Sequence, residues 1–149
     1  MEKIIHATTA EEARRLIERQ GNAEKIMVLG REIGFNRKIL ETKKVSVLVL
    51  SHKEGKDSLK QRNSGLNQVL CKIAKENSIT LAIDFSELKT ENKKEKAKIL
   101  SRIIQNIKLI KKYKNKLIIL NKPEDKLSLS AFLCILGADT KLAKIASEN

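Results

Sequence analysis

Residues 45–67, Val45-Ser-Val-Leu-Val-Leu-Ser-His-Lys-Glu-Gly-Lys-Asp-Ser-Leu-Lys-Gln-Arg-Asn-Ser-Gly-Leu-Asn67, decide the fold. The first six residues, apolar and β-branched, predict a strand. Just downstream, apolar residues recur at the spacing of one helix face: Leu66, Val69, Leu70 and Ile73. Residues 57–67 are therefore predicted to be a loop that leaves the C-terminal end of a strand and leads into a helix.

This loop is the predicted binding site. In proteins that alternate strands with helices, loops at the C-terminal ends of strands converge on one face, and helix N-termini direct N–H groups toward it. Lys60 and Arg62 add cationic groups there. The loop is thus expected to bind an anionic partner. Ser64 is expected to cap the following helix, with Gly65 at its start.

The same alternation runs through the whole chain. Strands are predicted at residues 3–7, 25–29, 45–50, 79–85 and 116–120. A first helix, capped by Thr8 or Thr9, is predicted to run to Arg19, and further helices are predicted at residues 36–42, 64–76, 92–113, 128–136 and 140–147. This order predicts a parallel sheet with right-handed crossovers, in one α/β domain covering residues 1–149. The length of 149 residues is short for an eight-stranded barrel, which usually needs about 200 or more.

The positive net charge of the chain indicates a polyanionic partner. The chain has 31 Lys and Arg against 18 Asp and Glu, a net charge of +13 and a pI near 9.8. Aromatic residues make up only 3%, so contacts to phosphates and folded RNA shape are favoured over base stacking. An alternative is an interaction module whose lysine content reflects genome composition.

The helix at residues 92–113 is amphipathic. A helical wheel places Ile99, Ile103, Ile107 and Ile110 on one face and predicts a charged cluster on the other: Lys94, Lys98, Arg102 and Lys112. The charged side is either an ordinary solvated face or a cationic ridge, on which Gln105 and Lys108 would also lie.

Residues suited to catalysis are few. His6, His52 and Asp84 are the candidates for a metal-dependent phosphoesterase, although His52 is better explained as a hydrogen-bonding loop residue. Cys71 and Cys134 lack metal-ligand spacing and are expected to be buried, reduced thiols. No apolar run approaches the ~20 residues that span a bilayer, so a cytoplasmic protein without membrane contact is expected.

Three segments of the sequence resemble a known protein family. Arg62-Asn-Ser-Gly-Leu-Asn-Gln-Val-Leu-Cys-Lys-Ile-Ala-Lys-Glu-Asn77, Ile79-Thr-Leu-Ala-Ile-Asp-Phe-Ser-Glu-Leu88 and the run to Lys111-Lys-Tyr-Lys114 resemble protein component 3 of archaeal and eukaryotic ribonuclease P. The match covers at least residues 45–114. The resemblance implies a TIM-barrel-like subunit that is related in fold to metal-dependent phosphoesterases but lacks their metal site.

The resemblance also implies a function. The family's RNA cleaves the 5′ leader from precursor tRNA, with Mg²⁺ expected for the RNA and no cofactor or catalytic residue in this chain. Implied partners are the ribonuclease P RNA, precursor tRNA, protein component 2 and the other ribonuclease P proteins. On this chain the implied RNA-binding residues are Lys60 and Arg62 in the loop and Arg102 and Lys112 on the long helix, to which the cationic ridge adds Lys98.

One departure from the family is expected. Its members usually have additional strand–helix units before the segment that corresponds to Lys3. Five strands do not close an ordinary eight-stranded barrel, so a reduced or incomplete TIM-like (β/α) barrel is predicted, with its edge covered by another protein or by the chain's own helices.

Overall fold

The described residues, 3–53, 57, 59–60 and 62–149 of a computed structural model, alternate strands with helices. Their strands are β1 (Ile4–Ile5), β2 (Met27–Leu29), β3 (Val47–Leu50), β4 (Thr80–Asp84) and β5 (Leu117–Leu120). Their helices are α1 (Ala10–Arg19), α2 (Ile33–Leu40), α3 (Gln68–Glu76), α4 (Lys93–Tyr113), α5 (Lys126–Ile135) and α6 (Thr140–Glu148), and a 3₁₀ turn covers Phe85–Lys89.

The five strands form one parallel sheet in sequence order, with β1 and β5 at its edges. A helix lies between each strand and the next, because a parallel pair needs a crossover connection rather than a tight turn. The predicted α/β class and the open arrangement of five parallel strands are confirmed. Because all five strands are parallel, their C-terminal ends, including the end of β3, lie at the same end of the sheet.

Alternation along the strands builds the core. One row of paired residues crosses all five strands and packs with the helices: Ile5, Val28, Leu48, Leu81 and Leu117. All five are at most 5% exposed. The next positions point to the opposite side of the sheet, where Met27, Val47, Val49 and Ala82 form a second apolar cluster. Both faces of the central strands are thus apolar, as parallel sheets require.

Helix α4 is the longest helix of the described part of the chain. The side chains of Ile99, Ile103, Ile107 and Ile110 are at most 1% exposed, as predicted, and each contributes about 1.5–3 kcal/mol by burial. The helix begins after Asn92, whose side chain accepts hydrogen bonds from the N–H groups of Lys94 and Glu95, and ends at Lys114 in a left-handed conformation.

The helical wheel is wrong for Arg102. This side chain is only 1% exposed, whereas Lys94, Lys98 and Lys112 lie on the surface as predicted. The reason is the spacing of the buried set: positions 99, 102, 103, 106, 107 and 110 follow the 3–4 periodicity of one helix face. Arg102 and Asn106 therefore belong to the apolar stripe.

Helices α2 and α3 do not begin where they were predicted to begin, because a different residue caps each of them. Helix α3 begins at Gln68, because Asn67, not Ser64, accepts the hydrogen bond from the Leu70 N–H. Helix α2 begins at Ile33, before the predicted residue 36, because Glu32 caps it through the Phe35 N–H. In the described residues, no helix is long and apolar enough to cross a bilayer.

Candidate functional site

Two buried asparagines hold the loop between β3 and α3, residues 51–67. On one side, Asn36 of α2 donates from Nδ2 to the carbonyl of Gly65 (2.8 Å). On the other, Asn106 of α4 donates to the carbonyl of the preceding residue, Ser64 (3.0 Å). Both asparagines are 0% exposed. Neighbouring carbonyls of the loop are therefore fixed from two different helices. Within the predicted binding loop, residues 58 and 61 lie outside the described residues.

Asn36 also binds the β2–α2 connection. Its Oδ1 accepts from the Arg31 N–H at 2.7 Å, and its Nδ2 donates to the Arg31 carbonyl at 3.0 Å. A Cβ on Gly30 would meet Asn36 Oδ1 at 2.8 Å and the Val49 carbonyl at 2.9 Å, closer than real Cβ contacts come. Gly65 has a φ of +77°, and a Cβ there would meet Arg31 O and Asn36 Nδ2 at 3.1 Å each. Glycine is thus required at both positions where chain segments meet Asn36.

Arg102 ties α4 to two parts of the same loop. Its NH1 donates to the His52 carbonyl at 2.9 Å, and its NH2 lies 3.2 Å from Asp57 Oδ1. The guanidinium is buried, and its transfer from water would cost much free energy without these two contacts. Arg102 was predicted to bind RNA, but its burial leaves no surface for a phosphate. In this structure it is a positioning residue.

Asp57 is the acidic partner in this arrangement. Its Oδ1 also accepts a hydrogen bond from the Asn63 N–H at 2.7 Å, which closes the loop on itself. The pKa of Asp57 is lowered, first by that backbone hydrogen bond and then, against the effect of desolvation, by Arg102 and the charge of Lys98. The carboxylate therefore stays ionised and keeps Arg102 neutralised at physiological pH.

His52 is a structural hydrogen-bonding residue, as its strand-end position indicated. Its ring is 0% exposed, and its backbone N–H donates to Glu87 Oε2 at 3.0 Å. Asn106 Nδ2 lies 2.9 Å from Nε2, and an amide nitrogen can only donate, so Nε2 accepts. The neutral ring then carries its proton on Nδ1, which lies 3.3 Å from Glu87 Oε2. His52 thus links the loop to the 3₁₀ turn.

The exposed cations surround this fixed framework. Lys60 and Arg62 are exposed on the loop, and the Arg62 carbonyl accepts a hydrogen bond from Gln105 of α4 at 3.3 Å. Lys98 is exposed one turn before Arg102 and acts electrostatically on Asp57. Lys112 is exposed near the other end of α4, about 15 Å from Arg102 at 1.5 Å per residue. Of the five predicted residues, Arg62 and Lys98 thus lie near the Asp57–Asn63 contact, while Lys60 is exposed on the same loop as Arg62.

The candidates for phosphoesterase chemistry do not converge. His6 is exposed, His52 is engaged by Asn106, and Asp84 accepts from the Ser86 N–H (2.9 Å) and Asn121 Nδ2 (2.8 Å). Burial raises the pKa of Asp84, but the hydrogen bonds from Asn121 and Ser86 outweigh it and leave the pKa lowered. Across the described ranges, no group of three or more His, Cys, Asp or Glu residues is placed to hold a metal ion.

The thiols differ from each other. Cys71 is buried, and desolvation raises its pKa to about 12, as expected of a structural thiol. Cys134 is exposed, so the prediction that both are buried is wrong for this residue. It lies on α5 beside exposed Ile135, because that helix buries the other side, with Leu129 and Leu133.

Sequence reasoning missed Asn36, Glu87 and Asn106 as residues that build the site. The available signal was a polar residue on an apolar helix face: Asn106 lies between Ile103 and Ile107 in the buried stripe of α4. A buried amide needs partners, so such a position indicates a hydrogen bond to another chain segment. Which segment it reaches depends on how the strands and helices pack.

The sequence relatives of this chain share one protein name. No family model matches the chain. Ribonuclease P protein component 3 of Methanococcus maripaludis strain C5 is 28% identical over 100 residues, covering 67% of this chain and 41% of the relative. The protein of the same name from Methanococcus vannielii is 26% identical over 106 residues, covering 71% and 43% respectively. The chain thus spans about two fifths of the length of these curated relatives.

A solved structure shows the same fold. A chain in the cryo-EM structure of archaeal ribonuclease P with mature tRNA superposes with a TM-score of 0.75 at 22% identity. The match covers 97% of this chain and 63% of the other. The predicted reduced, TIM-like α/β arrangement agrees with this likeness. In sequence, the chain is thus similar to ribonuclease P protein component 3, and it shares the fold of a chain in archaeal ribonuclease P.

Proposed function

We propose that this chain is a non-catalytic protein subunit of a ribonuclease P ribonucleoprotein. It binds the catalytic RNA and supports removal of the 5′ leader from precursor tRNA. The observation that carries the proposal is the β3–α3 loop, which exposes Lys60 and Arg62 just before Ser64 and Gly65, whose carbonyls are fixed by buried Asn106 and Asn36. Its similarity to relatives named ribonuclease P protein component 3 supports RNA as the anion that this loop binds.

Part of the loop is ordered before it binds. A flexible loop loses conformational freedom when it binds, which reduces the affinity gained from each contact. Here Asn63, Ser64 and Gly65 already make hydrogen bonds through the backbone. The backbone from Asn63 to Gly65, which follows Arg62, therefore needs little further ordering when the loop binds. The net charge of +13 adds attraction at longer range.

The cations would act by offsetting phosphate repulsion. Folding a catalytic RNA brings phosphates close together, and Mg²⁺ bound by the RNA and basic protein groups both reduce that cost. In this proposal the chain holds no cofactor of its own. Protein component 2 and the other ribonuclease P proteins are the proposed protein partners, together with precursor tRNA reached through the complex.

Equilibrium binding to ribonuclease P RNA tests the proposal. Affinity is measured between about 50 and 200 mM salt for the wild type and for the double variant Lys60→Gln/Arg62→Gln. Loss of two phosphate contacts is expected to reduce the slope of log affinity against log salt by roughly 1–2. Circular dichroism and the unfolding midpoint confirm that the variant is folded.

A charge-matched control separates the site from general attraction. Arg14→Gln/Arg15→Gln also removes two exposed cations, from α1. The proposal expects this variant to keep most of the affinity and slope. Equal losses in the two double variants would support an interaction module with unspecific charge, and a wild type without RNA affinity would refute the proposal.

A further inference from the structure

We propose that the end of the fold opposite the β3–α3 loop holds a second RNA-binding surface, formed by Lys72, Lys75, Lys112 and Lys114. The inference rests on the proposed function, since it names a second place where the same RNA is bound. It assigns Lys112, which the structure separates from the loop, to a site of its own.

The surface is a groove between two helices. It has a volume of about 490 Å³ and lies between α3 and the end of α4, with the lining residues Lys72, Lys75, Glu76, Lys112, Tyr113 and Lys114. Four of these six residues are lysines, and one is acidic. None of the four lysines forms an ion pair with any of the described residues. The groove therefore carries four ammonium groups against one carboxylate, and among the described residues none of the four is held in an ion pair.

Tyr113 gives the groove a fixed wall. Its hydroxyl group donates to Gln68 Oε1 at 3.0 Å, which connects the end of α4 to the start of α3. Lys112 Nζ lies 5.6 Å from the centre of the Tyr113 ring, within the range of a cation–π contact. The ammonium group of Lys112 is thus held above an aromatic face at the edge of the groove.

Helix dipoles do not account for this clustering. Cations near a helix C-terminus are favourable by about 0.3–1 kcal/mol each, which explains a lysine at the end of α3 or of α4 separately. It does not explain why lysines of two helices line one groove, where like charges repel. Lys114 also adopts a φ of +56°, a conformation in which glycine or asparagine is preferred. A lysine there adds a cation at some conformational cost.

The basic surface continues beyond the groove. Lys114 also borders a second groove of about 580 Å³, together with Lys111, Lys116 and Lys141. The acidic residue Asp139 in that groove is occupied as the N-cap of α6, accepting from the Leu142 N–H at 2.8 Å. Lys116 immediately precedes β5, so this surface lies at the N-terminal ends of the strands. The β3–α3 loop lies at their C-terminal ends.

A phosphodiester backbone is the partner whose charge complements the basic surfaces at both ends of the strands. It carries a negative charge at every nucleotide, and a folded RNA can place two backbone segments at two surfaces of one protein; Lys98 beside the loop and Lys112 are about 21 Å apart along α4. The single tyrosine in the groove provides no stacking platform, so contacts to phosphate rather than to bases are expected.

Binding of ribonuclease P RNA to the triple variant Lys72→Gln/Lys75→Gln/Lys112→Gln tests the inference. Affinity is expected to fall roughly 10- to 100-fold near physiological salt, and the salt slope to fall by roughly 2–3. The control is Arg14→Gln/Arg15→Gln/Arg19→Gln, which removes three exposed charges from α1. It is expected to lose much less affinity.

A footprint gives a readout on the unmodified protein. Lysine acetylation followed by mass spectrometry is expected to show protection of Lys72, Lys75, Lys112 and Lys114 when the RNA is bound. Unchanged acetylation at all four residues would overturn the inference. So would equal losses in the two triple variants, or an unchanged RNA affinity accompanied by weaker binding of polyglutamate, which would indicate an acidic protein partner.

The two proposals fail in different ways. If Lys60→Gln/Arg62→Gln weakens RNA binding while the lysine triple variant does not, the second surface is refuted and the proposed function stands. If the wild type shows no affinity for the RNA, the proposed function itself fails.

Discussion

Arg102 of α4 and Asp57 of the β3–α3 loop form an ion pair, with NH2 of the arginine 3.2 Å from Oδ1 of the aspartate. The arginine is 1% exposed and the aspartate side chain 30% exposed, so the pair reaches from the core to the surface. This contact joins the longest described helix to the loop that carries Lys60 and Arg62. Positioning of the loop therefore depends on residues that do not themselves reach a ligand.

Arg102→Met is expected to lower the free energy of unfolding by about 2–3 kcal/mol. The substitution keeps most of the packing but leaves the His52 carbonyl without the hydrogen bond from Arg102 and Asp57 without its ion pair. Urea denaturation measures the loss. Lys98→Met, one turn away and exposed, is the control and is expected to change stability by less than about 0.5 kcal/mol. Equal effects would show that Arg102 has no special structural role.

Gly65→Ala is expected to destabilise the protein by about 1–2 kcal/mol and to weaken RNA binding. Its φ of +77° disfavours any side chain, and the added Cβ would press on Arg31 O and Asn36 Nδ2. Gly34→Ala is the matched control, because Gly34 lies inside α2 and its nearest new contact is at 4.0 Å. That change is expected to stabilise by about 0.5–1 kcal/mol. Thermal unfolding of both variants checks the opposite signs.

Asn106→Leu is expected to cost about 1–3 kcal/mol and to loosen the loop. The substitution leaves the Ser64 carbonyl and His52 Nε2 without the donor they share. Amide hydrogen exchange is expected to become faster in residues 62–66 more than in the sheet. Gln105→Leu, which removes one hydrogen bond near the surface, to the Arg62 carbonyl, serves as the control. Uniform acceleration throughout the protein would instead indicate global destabilisation.

Acid is expected to weaken the ion pair at the loop. The folded pKa of Asp57 is lowered, so the stability that its ionised form contributes is complete above the usual aspartate pKa of about 4. This contribution is lost as the pH falls through the lower, folded value. Asp57→Asn is therefore expected to unfold with a shallower dependence on pH in the acid range. Identical acid dependence in variant and wild type would contradict the assignment.

Much of the fold was predictable because it depends on local patterns. Apolar strands such as residues 45–50 and the 3–4 spacing of Ile99 and Ile103 specify strand and helix directly. The start of α3 was not predictable in this way, since Ser64 and Asn67 are both good capping residues. The non-helical backbone of Gly65 and Asn67 separates Ser64 from the helix.

The candidate site was predictable only in part, for a physical reason. The exposed cations Lys60 and Arg62 follow from their position after a strand. The buried partners Arg102 and Asn106 occupy an apolar helix face, where they are stable only because His52, Asp57 and Ser64 come close in the folded chain. Contacts between such distant segments are set by tertiary packing, which periodicity does not reveal.

Cleavage of precursor tRNA by reconstituted ribonuclease P tests the central claim most directly. Single-turnover rates are measured across a series of Mg²⁺ concentrations with the wild-type chain, with Lys60→Gln/Arg62→Gln, and with the chain omitted. The account predicts that omission slows cleavage most at low Mg²⁺ and that the double variant restores only part of the rate. Rates that are unchanged by omission at every Mg²⁺ concentration would contradict it.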